Sequence, residues 1–317
     1  MINQIKLTSG KRPVRIIQNL PIRKRGPKNG KGIFTMDERL QKILRIPAQE
    51  LGKGSPVQLR VVDTDKDMCY DIALNILKEV ADNNRQGRHT VFIWPVGPVG
   101  QYPILAELIN RYRVSFKNVH VFQMDEYLND DLTPIPESSP LSFTGFLHRF
   151  IESLDEELRI PESQHYIPTV GKEDFNWKRI QELGGVDTAY GGIGITGHIA
   201  FNEPPLPDDA ITDAEFRDLP TRVLKILPET RTINAYTAAR GAIDLIPEWC
   251  ITIGMREILS ARKIRFYMNR EWQSGVVRKL LHGEVTRFVP SSFFQTHPDA
   301  RLTITKEVAA PPLGHLR

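Results

Sequence analysis

Cysteine is scarce in this 317-residue sequence. The two cysteines, Cys69 and Cys250, lie far apart in apolar segments, and neither belongs to a CxxC or a clustered Cys/His pattern. Buried free thiols are expected, and a disulfide is the weaker alternative. These residues give no reason to infer a metal site.

Long hydrophobic runs are also missing. No stretch of about 18 apolar residues occurs, and the first residues, MINQIKLTSGKRPVR, contain no apolar segment of the kind that directs secretion. We therefore expect a cytoplasmic protein without a membrane partner. The composition, 40% hydrophobic and 25% charged, is that of a globular protein with one large core.

Acidic residues are absent from residues 1–36, which contain nine lysines or arginines. Because the whole chain has a net charge of +4, the rest of it carries −5. The segment RKRGPKNGKG predicts a solvated, partly disordered extension, with contact to an anionic surface or a neighbouring subunit as the alternative. No nucleic-acid-binding motif accompanies the charge, so no nucleic-acid partner is expected. We place a basic extension at residues 1–50 and one domain at residues 51–317.

From about residue 57, short apolar runs alternate with amphipathic helices. VQLRVVDT, TVFIWPVG and NVHVFQM predict strands, and apolar residues at three- and four-residue steps predict a helix that begins near Thr64 or Asp65. This alternation favours an α/β fold with an open, mainly parallel sheet and helices on both faces, a Rossmann-like three-layer domain. Ligands bind such sheets at the carboxyl ends of the strands, so the loops at 95–102, 124–128 and 194–204 should form the site.

Residues 205–230 are rich in proline and acidic side chains and have weak periodicity. This composition is typical of a mobile lid or a surface excursion.

Asp125 and Glu126 directly follow an apolar strand in the segment MDEYL. Side chains alternate across a strand, so only one of the two carboxylates can easily serve a single site. A partly desolvated carboxylate at this position can take a proton from a carbon next to a carbonyl. A pair of solvated acids at a strand end is the alternative interpretation.

The segment GGIGITGHIAFNEP combines four closely spaced glycines with His198, Asn202 and Glu203. Glycines permit sharp turns and close approach of the backbone to a ligand. A histidine can move a proton at neutral pH, and a carboxylate can orient its ring and stabilise its charged form. The alternative is a structural turn with a hydrogen-bonded histidine.

The loop PVGPVGQYP precedes a predicted helix, whose N-terminus could hold a phosphate. The loop offers no serine or threonine hydroxyl, and Pro98 lacks an N–H donor. A tight turn that only packs is the better interpretation.

The segments MDEYL and GHIAFNEP, in that order, resemble the glucosamine-6-phosphate deaminase/isomerase family, which is related to the 6-phosphogluconolactonases. The resemblance runs from roughly residue 57 to residue 305 and includes SFKNVHVFQMDEY and ETRTINAY. GHIAFNEP is specific to the deaminase branch, whereas residues 1–50 have no recognised counterpart.

The resemblance implies roles for three residues. Asp125 matches a general base that moves a proton between C2 and C1 of an aldose. His198 matches a histidine that helps to open the sugar ring, and Glu203 matches the carboxylate coupled to it. The family reaction then releases ammonia from C2 and needs no metal or organic cofactor. The residues expected to bind the substrate are Gly97, Val99, Gly100, Glu126, Thr196, Gly197, Asn202, Tyr236 and Gln273.

The sequence also departs from the family pattern. Thr196 stands where the family has an aspartate of the ring-opening relay, and a hydroxyl cannot supply the negative charge that stabilises an imidazolium. Val99 replaces the Thr or Ser of the phosphate loop, Tyr236 falls on the phosphate arginine, and Gln273 falls near the phosphate lysine. A 6-phosphate should therefore bind weakly in the family's pose.

We expect an enzyme that isomerises an amino sugar or related aldose, possibly with deamination, and that recognises phosphate differently from the family. Its partner would be a small-molecule sugar, and a homo-oligomer is expected because relatives assemble. A catalytically silent sugar-binding or regulatory homologue is the main alternative. A lactonase-like hydrolase is less favoured, because the FNEP segment belongs to the deaminase branch.

Overall fold

The computed structural model describes residues 37–312. The strands in this range are β1 (Gln58–Val62), β2 (Thr90–Trp94), β3 (Val119–Gln123), β4 (Asp125–Leu128), β5 (His165–Tyr166), β6 (Thr188–Gly191), β7 (Arg222–Lys225), β8 (Trp249–Thr252), β9 (Lys263–Met268) and β10 (Ala300–Thr305). The α-helices are α1 (Glu38–Leu44), α2 (Asp65–Arg85), α3 (Gln101–Tyr112), α4 (Phe143–Glu152), α5 (Asp174–Glu182), α6 (Asp213–Arg217), α7 (Pro228–Ala238), α8 (Met255–Leu259), α9 (Ser274–His282) and α10 (Lys306–Ala309).

Seven strands form one parallel sheet in the order β1-β10-β9-β6-β2-β3-β5. Helices α2, α3 and α4 contribute to the apolar cluster on one face, together with Phe92 and Trp94. Helices α5, α8, α9 and α10 contribute to the cluster on the other face, which includes Phe266 and Phe294. The predicted parallel sheet between two helical layers is confirmed.

Helix α2 begins where the sequence predicts. Thr64 accepts a hydrogen bond from the Asp67 N–H, and the Asp67 carboxylate accepts one from the Thr64 N–H, so the two residues form a capping box. Met68, Ile72, Ala73, Ile76 and Val80 are buried on one face of the helix.

A second, antiparallel sheet has the strand order β4-β8-β7 and was not predicted. It includes residues 222–225, and Phe216 of the preceding helix is buried in the main core. Residues 206–215 are exposed or half-buried, as a surface excursion requires, whereas Phe216 and β7 anchor the segment to the domain, so the prediction of a mobile lid or a surface excursion over 205–230 stays a prediction. The polar composition of residues 205–230 gave no signal for the buried Phe216 or for the short strand β7.

The basic segment 1–36 lies outside the described residues, so its predicted disorder is not tested. Helix α1 packs against α9, where the fully buried Arg278 donates to the Ile46 carbonyl at 2.9 and 3.0 Å and to the Ala309 carbonyl at 2.7 Å. Ordered contacts with the domain thus begin before residue 51, and the proposed boundary at residue 50 stays a prediction. Among residues 37–312, no helix has the length and apolar character needed to span a membrane.

Candidate active site

At the carboxyl end of the parallel sheet, the predicted loop at 95–102 meets the residues that directly precede the predicted loop at 194–204. A Cβ atom on Gly192 would lie 3.2 Å from the Gly97 carbonyl oxygen and 3.7 Å from Pro98 Cδ, so the loop after β2 rests against the loop after β6. The loop after β9 joins them, because the Gln273 side chain donates to the Ile193 carbonyl at 2.8 Å. The carboxyl edge of the sheet is where the sequence predicts the site, and its role in ligand binding stays a prediction.

Asp125 begins β4 at the point where the chain leaves the parallel sheet. It is buried, and burial, followed by the nearby Glu126 carboxylate, raises its pKa to about 8. No donor from the described residues contributes to holding its charge. The Asp125 carboxyl is thus a desolvated group suited to exchange a proton near neutral pH.

Glu126 has a different environment although it is the next residue. Its carboxylate accepts hydrogen bonds from the Ser142 hydroxyl at 3.0 Å and from the N–H groups of Phe143 at 3.2 Å and Thr144 at 2.7 Å. These donors lie at the N-terminus of α4, where a negative charge is stabilising. The structure therefore commits Glu126 to anchoring α4, which leaves Asp125 as the unbonded carboxylate of the pair.

The loop that carries His198 depends on glycine at two positions. A Cβ atom on Gly194 would lie 1.9 Å from the His198 ring, so the imidazole lies directly against this backbone. Gly197 has φ +89°, a conformation that favours glycine, and Ala200 also has a positive φ of 53°. The closely spaced glycines therefore allow the loop to turn sharply and to pack against the His198 ring.

His198 Nδ1 lies within a cluster of three oxygen-bearing side chains. It is 2.8 Å from Thr196 Oγ1, 3.0 Å from Glu203 Oε2 and 3.3 Å from Thr230 Oγ1. The Thr196 hydroxyl also donates to Glu203 Oε2 at 2.9 Å. These contacts all involve Nδ1, and ring nitrogen Nε2 makes no hydrogen bond with the described residues.

Glu203 is a buried carboxylate held ionised by its neighbours. Burial alone would raise its pKa, but the charge of His198 and hydrogen bonds from His198, Thr230 and Thr196 lower the pKa below its usual range. Its Oε1 atom is buried without a partner among the described residues. A carboxylate charge therefore sits next to His198 even though Thr196 occupies the position of the family's aspartate.

The Asp125 and His198 segments are joined through strand β8. Thr252 pairs with Asp125 across the small sheet, and its hydroxyl accepts a hydrogen bond at 3.0 Å from the N–H of Phe201, three residues after His198. Burial and then the charges of Asp125 and Glu203 raise the pKa of the Cys250 thiol on the same strand. The structure thus brings the predicted proton-transfer residues to one region.

Asn202 is fully buried and ties these segments together. Its side-chain N–H groups donate to the carbonyls of Ile199 at 3.0 Å and Ile253 at 2.9 Å, and its oxygen accepts from Arg222 at 2.6 Å. Burial lowers the pKa of Arg222 to about 10, while nearby acidic groups oppose this shift. The protein itself uses the hydrogen-bonding capacity of Asn202, which supports a positioning role.

The residues at the expected phosphate positions carry no positive charge. Val99 is 44% exposed and Tyr236 is 71% exposed. Gln273 is buried, and its side chain is bonded to the Ile193 carbonyl and to the Arg270 N–H. Gly97 and Gly100 are exposed to solvent, and as glycines they offer a ligand only backbone groups.

Three residues near the site were not singled out from the sequence. Thr230 reaches His198 from α7, Arg222 reaches Asn202 from β7, and Gly194 lies under the histidine ring. Thr230 and Arg222 are distant in the chain from the residues that they contact, so only the folded arrangement reveals them. Gly194 belongs to the glycine-rich segment, whose composition was the available signal.

Within residues 37–312 there is no group of three or more His, Cys, Asp or Glu side chains arranged to hold a metal ion.

Comparison with known sequences gives a consistent group of relatives, although no family model matches the chain. The glucosamine-6-phosphate deaminase of Thermoanaerobacter pseudethanolicus is 30% identical over 220 residues, covering 67% of this chain and 79% of that protein. The deaminase of Lysinibacillus sphaericus is 31% identical over 214 residues, covering 65% of this chain and 81% of that protein.

Solved structures give the same result. A monomeric glucosamine-6-phosphate deaminase, described as a missing link of the NagB superfamily, has a TM-score of 0.65 and 25% identity, covering 80% of this chain and 99% of that one. The 6-phosphogluconolactonase of Trypanosoma cruzi, with a TM-score of 0.54, 16% identity, and coverage of 80% of this chain and 96% of its own, shares the fold. The resemblance inferred from MDEYL and GHIAFNEP is confirmed, and the chain belongs to the glucosamine-6-phosphate deaminase family of enzymes.

Proposed function

We propose that this protein is an aldose–ketose isomerase that acts on an amino sugar and releases its C2 amine as ammonia. One observation carries the proposal: strand β8 joins the buried, unbonded Asp125 to the segment that holds the His198–Glu203 pair, at the carboxyl edge of the sheet. The first group suits proton transfer at carbon, and the second suits proton transfer at the ring oxygen.

Asp125 has the task of moving the C2 proton. In its ionised form it takes the proton from C2 of the open-chain sugar and returns it to C1, which converts the aldose into a C2 imine. Water then adds to C2, and ammonia leaves. Because burial raises the pKa of Asp125 to about 8, its carboxylate is a stronger base than an exposed one, and the carboxylic acid that forms holds the proton until it is returned to C1.

Ring opening falls to His198, with Glu203 as its charge partner. A proton delivered from Nε2 to the ring oxygen requires an imidazolium that is stabilised at Nδ1. Thr196 cannot provide that charge, but Glu203 Oε2 lies 3.0 Å from Nδ1 and can provide it. The relay thus needs one carboxylate instead of two, and Thr196 and Thr230 orient the pair.

The substrate is proposed to be an amino sugar without a 6-phosphate, or one substituted differently. Tight binding of a phosphate dianion relies on charge-assisted hydrogen bonds from Arg or Lys. Neutral side chains occupy the three expected phosphate positions, and Gln273 is already bonded within the protein. A neutral hydroxyl group at C6 is compatible with the neutral side chains of Val99, Tyr236 and Gln273, which we call the rim of the site.

A substrate panel in heavy water tests the proposal. Glucosamine, glucosamine 6-phosphate, glucose and N-acetylglucosamine are incubated with the protein, and the C2 proton and free ammonia are followed by NMR and a colorimetric assay. We expect C2 exchange and ammonia release with an unphosphorylated amino sugar. Turnover of glucosamine 6-phosphate with no turnover of any neutral sugar would overturn the substrate proposal.

A catalytically silent sugar-binding protein is the second candidate, because Thr196 and the uncharged rim depart from the family pattern. Saturable sugar binding without C2 exchange, measured by calorimetry on the same panel, would favour it over the enzyme. A cytoplasmic location and a homo-oligomer remain part of the proposal. The assembly state is measured by light scattering, and the similar deaminase structure is described as monomeric.

A further inference from the structure

A polar cleft of about 310 Å³ opens near the amino ends of the parallel strands. It lies between the second half of α2 and strands β6, β9 and β10, near residues Lys263, Arg265 and Arg301. The candidate active site occupies the opposite edge, where the same strands end. The volume is in the range of small-molecule sites.

The cleft has a surplus of positive charge. Five cationic side chains line it, namely Lys78, Arg88, Lys263, Arg265 and Arg301, against the two carboxylates of Glu79 and Asp82. Lys263 pairs with Glu79 at 3.0 Å, and Lys78 pairs with Asp82 at 3.1 Å. Both carboxylates of the cleft are therefore already matched.

Strand pairing brings two of the remaining cations together. Arg301 and Arg265 are register partners in the neighbouring parallel strands β10 and β9, so their guanidinium groups project to the same face and repel each other. Asp299 offsets the charge of Arg265 through a contact of 2.9 Å. No carboxylate among residues 37–312 pairs with Arg301, which leaves the two arginines with a net positive charge.

Arg301 and Arg88 have only neutral hydrogen-bond partners. Arg301 Nη2 donates to Asn75 Oδ1 at 3.2 Å, and Arg88 Nη2 donates to Asn83 Oδ1 at 2.7 Å. In the part of the chain that the structure describes, the Arg301 Nε atom is buried and makes no well-aligned hydrogen bond, although the Arg301 side chain lies close enough to the Tyr267 hydroxyl to oppose the rise in the pKa of that group. An unmet, partly desolvated guanidinium donor is costly unless an anion completes it.

We infer that this cleft binds a small organic phosphate. The guanidinium fork matches phosphate oxygens in a bidentate manner, and two arginines without carboxylate partners balance one dianion. The site is separate from the proposed catalytic residues and does not depend on the proposed function. It would allow the protein to respond to a phosphorylated metabolite even though the sugar pocket lacks the family's phosphate contacts.

Calorimetry on the full chain tests this site with inorganic phosphate and glycerol 3-phosphate at constant ionic strength, with citrate as a carboxylate comparison. Arg301→Gln removes a guanidinium that has no carboxylate partner and should weaken phosphate binding about tenfold or more. Arg88 is exposed at the edge of the cleft, so Arg88→Gln should weaken phosphate binding several-fold. This variant keeps the test usable if Arg301→Gln fails to fold. Arg111→Gln, an exposed arginine of α3 outside the cleft, is the matched control and should bind as the wild type does.

Hydrogen–deuterium exchange gives the location of binding. Phosphate should protect peptides that cover residues 75–88 and 261–268 and leave residues 194–204 unchanged. Wild-type affinity in both Arg301→Gln and Arg88→Gln, or protection confined to residues 194–204, would overturn the inference. Binding of citrate without binding of phosphate would contradict the ligand class.

Discussion

The proton-transfer centre and the phosphate rim of the candidate site differ sharply. The centre retains buried, mutually adjusted ionisable groups, with Asp125 on β4 and His198 against Glu203. The rim presents the neutral side chains of Val99, Tyr236 and Gln273 at the positions where the family resemblance implies phosphate contacts. This difference predicts that substrate anchoring changes in this chain while the groups proposed for the chemistry stay in place.

Removal of the Asp125 charge should have the largest effect. Asp125→Asn keeps the shape of the side chain but cannot accept the C2 proton, so C2 exchange and kcat should fall about 10²–10⁴-fold. Steady-state kinetics and NMR exchange measure this loss. Asp130→Asn, an exposed residue five positions along, is the matched control. Equal activity of the Asp125→Asn variant and the wild type would remove Asp125 from the mechanism.

Disruption of the His198–Glu203 pair should come next. Glu203→Gln withdraws the charge that stabilises the imidazolium, and kcat should fall about 10²-fold because general acid catalysis is impaired. His198→Gln should cause a similar loss, and the double variant should lose little more, since both substitutions break one unit. Fully additive losses in this cycle would contradict the coupling.

Placing a charge on the rim should have a smaller effect of opposite sign. Tyr236→Arg introduces a guanidinium at an exposed position and should lower KM for glucosamine 6-phosphate about tenfold, equivalent to about 1.4 kcal/mol. The KM for glucosamine should not change. Tyr236→Gln is the uncharged control, and an identical effect of both substitutions would show that charge is not the missing element.

The smallest effect is expected at Thr196. Thr196→Ala removes one hydroxyl from His198 and Glu203 but leaves their direct contact, so kcat should fall only a few-fold, in line with about 1 kcal/mol for one hydrogen bond. A loss as large as that of Glu203→Gln would mean that the hydroxyl itself is essential to the relay. Thr196→Val is the isosteric check that separates hydrogen bonding from packing.

Local sequence patterns predicted much of the fold. The period of Met68, Ile72 and Ile76 and the cap at Thr64 gave helix α2, and the apolar runs gave the parallel sheet. Strand β7 was missed, because its residues are only half-buried and its partner β8 lies more than twenty residues later. Pairing between distant strands leaves little signal in one short segment.

The candidate site was also predictable only in part. His198 and Glu203 lie five positions apart and could be grouped from the sequence, and the alternation of side chains along a strand predicted that Asp125 and Glu126 point different ways. Other features depend on tertiary geometry and could not be predicted. Thr230 contacts His198 from α7, and the Gln273 side chain is bonded inside the protein. Glu203 is the carboxylate that pairs with His198. Sequence reasoning therefore identified which groups meet but not how their hydrogen bonds are shared.

The pH dependence of C2 exchange tests the central claim most directly. Asp125 accepts a proton only when ionised, and burial raises the pKa of this group to about 8 in the free protein. The kcat/KM measured for exchange of the C2 proton should therefore rise about tenfold per pH unit below pH 8 and level off above it. A profile that is already flat from pH 5 upward would contradict a buried Asp125 as the base.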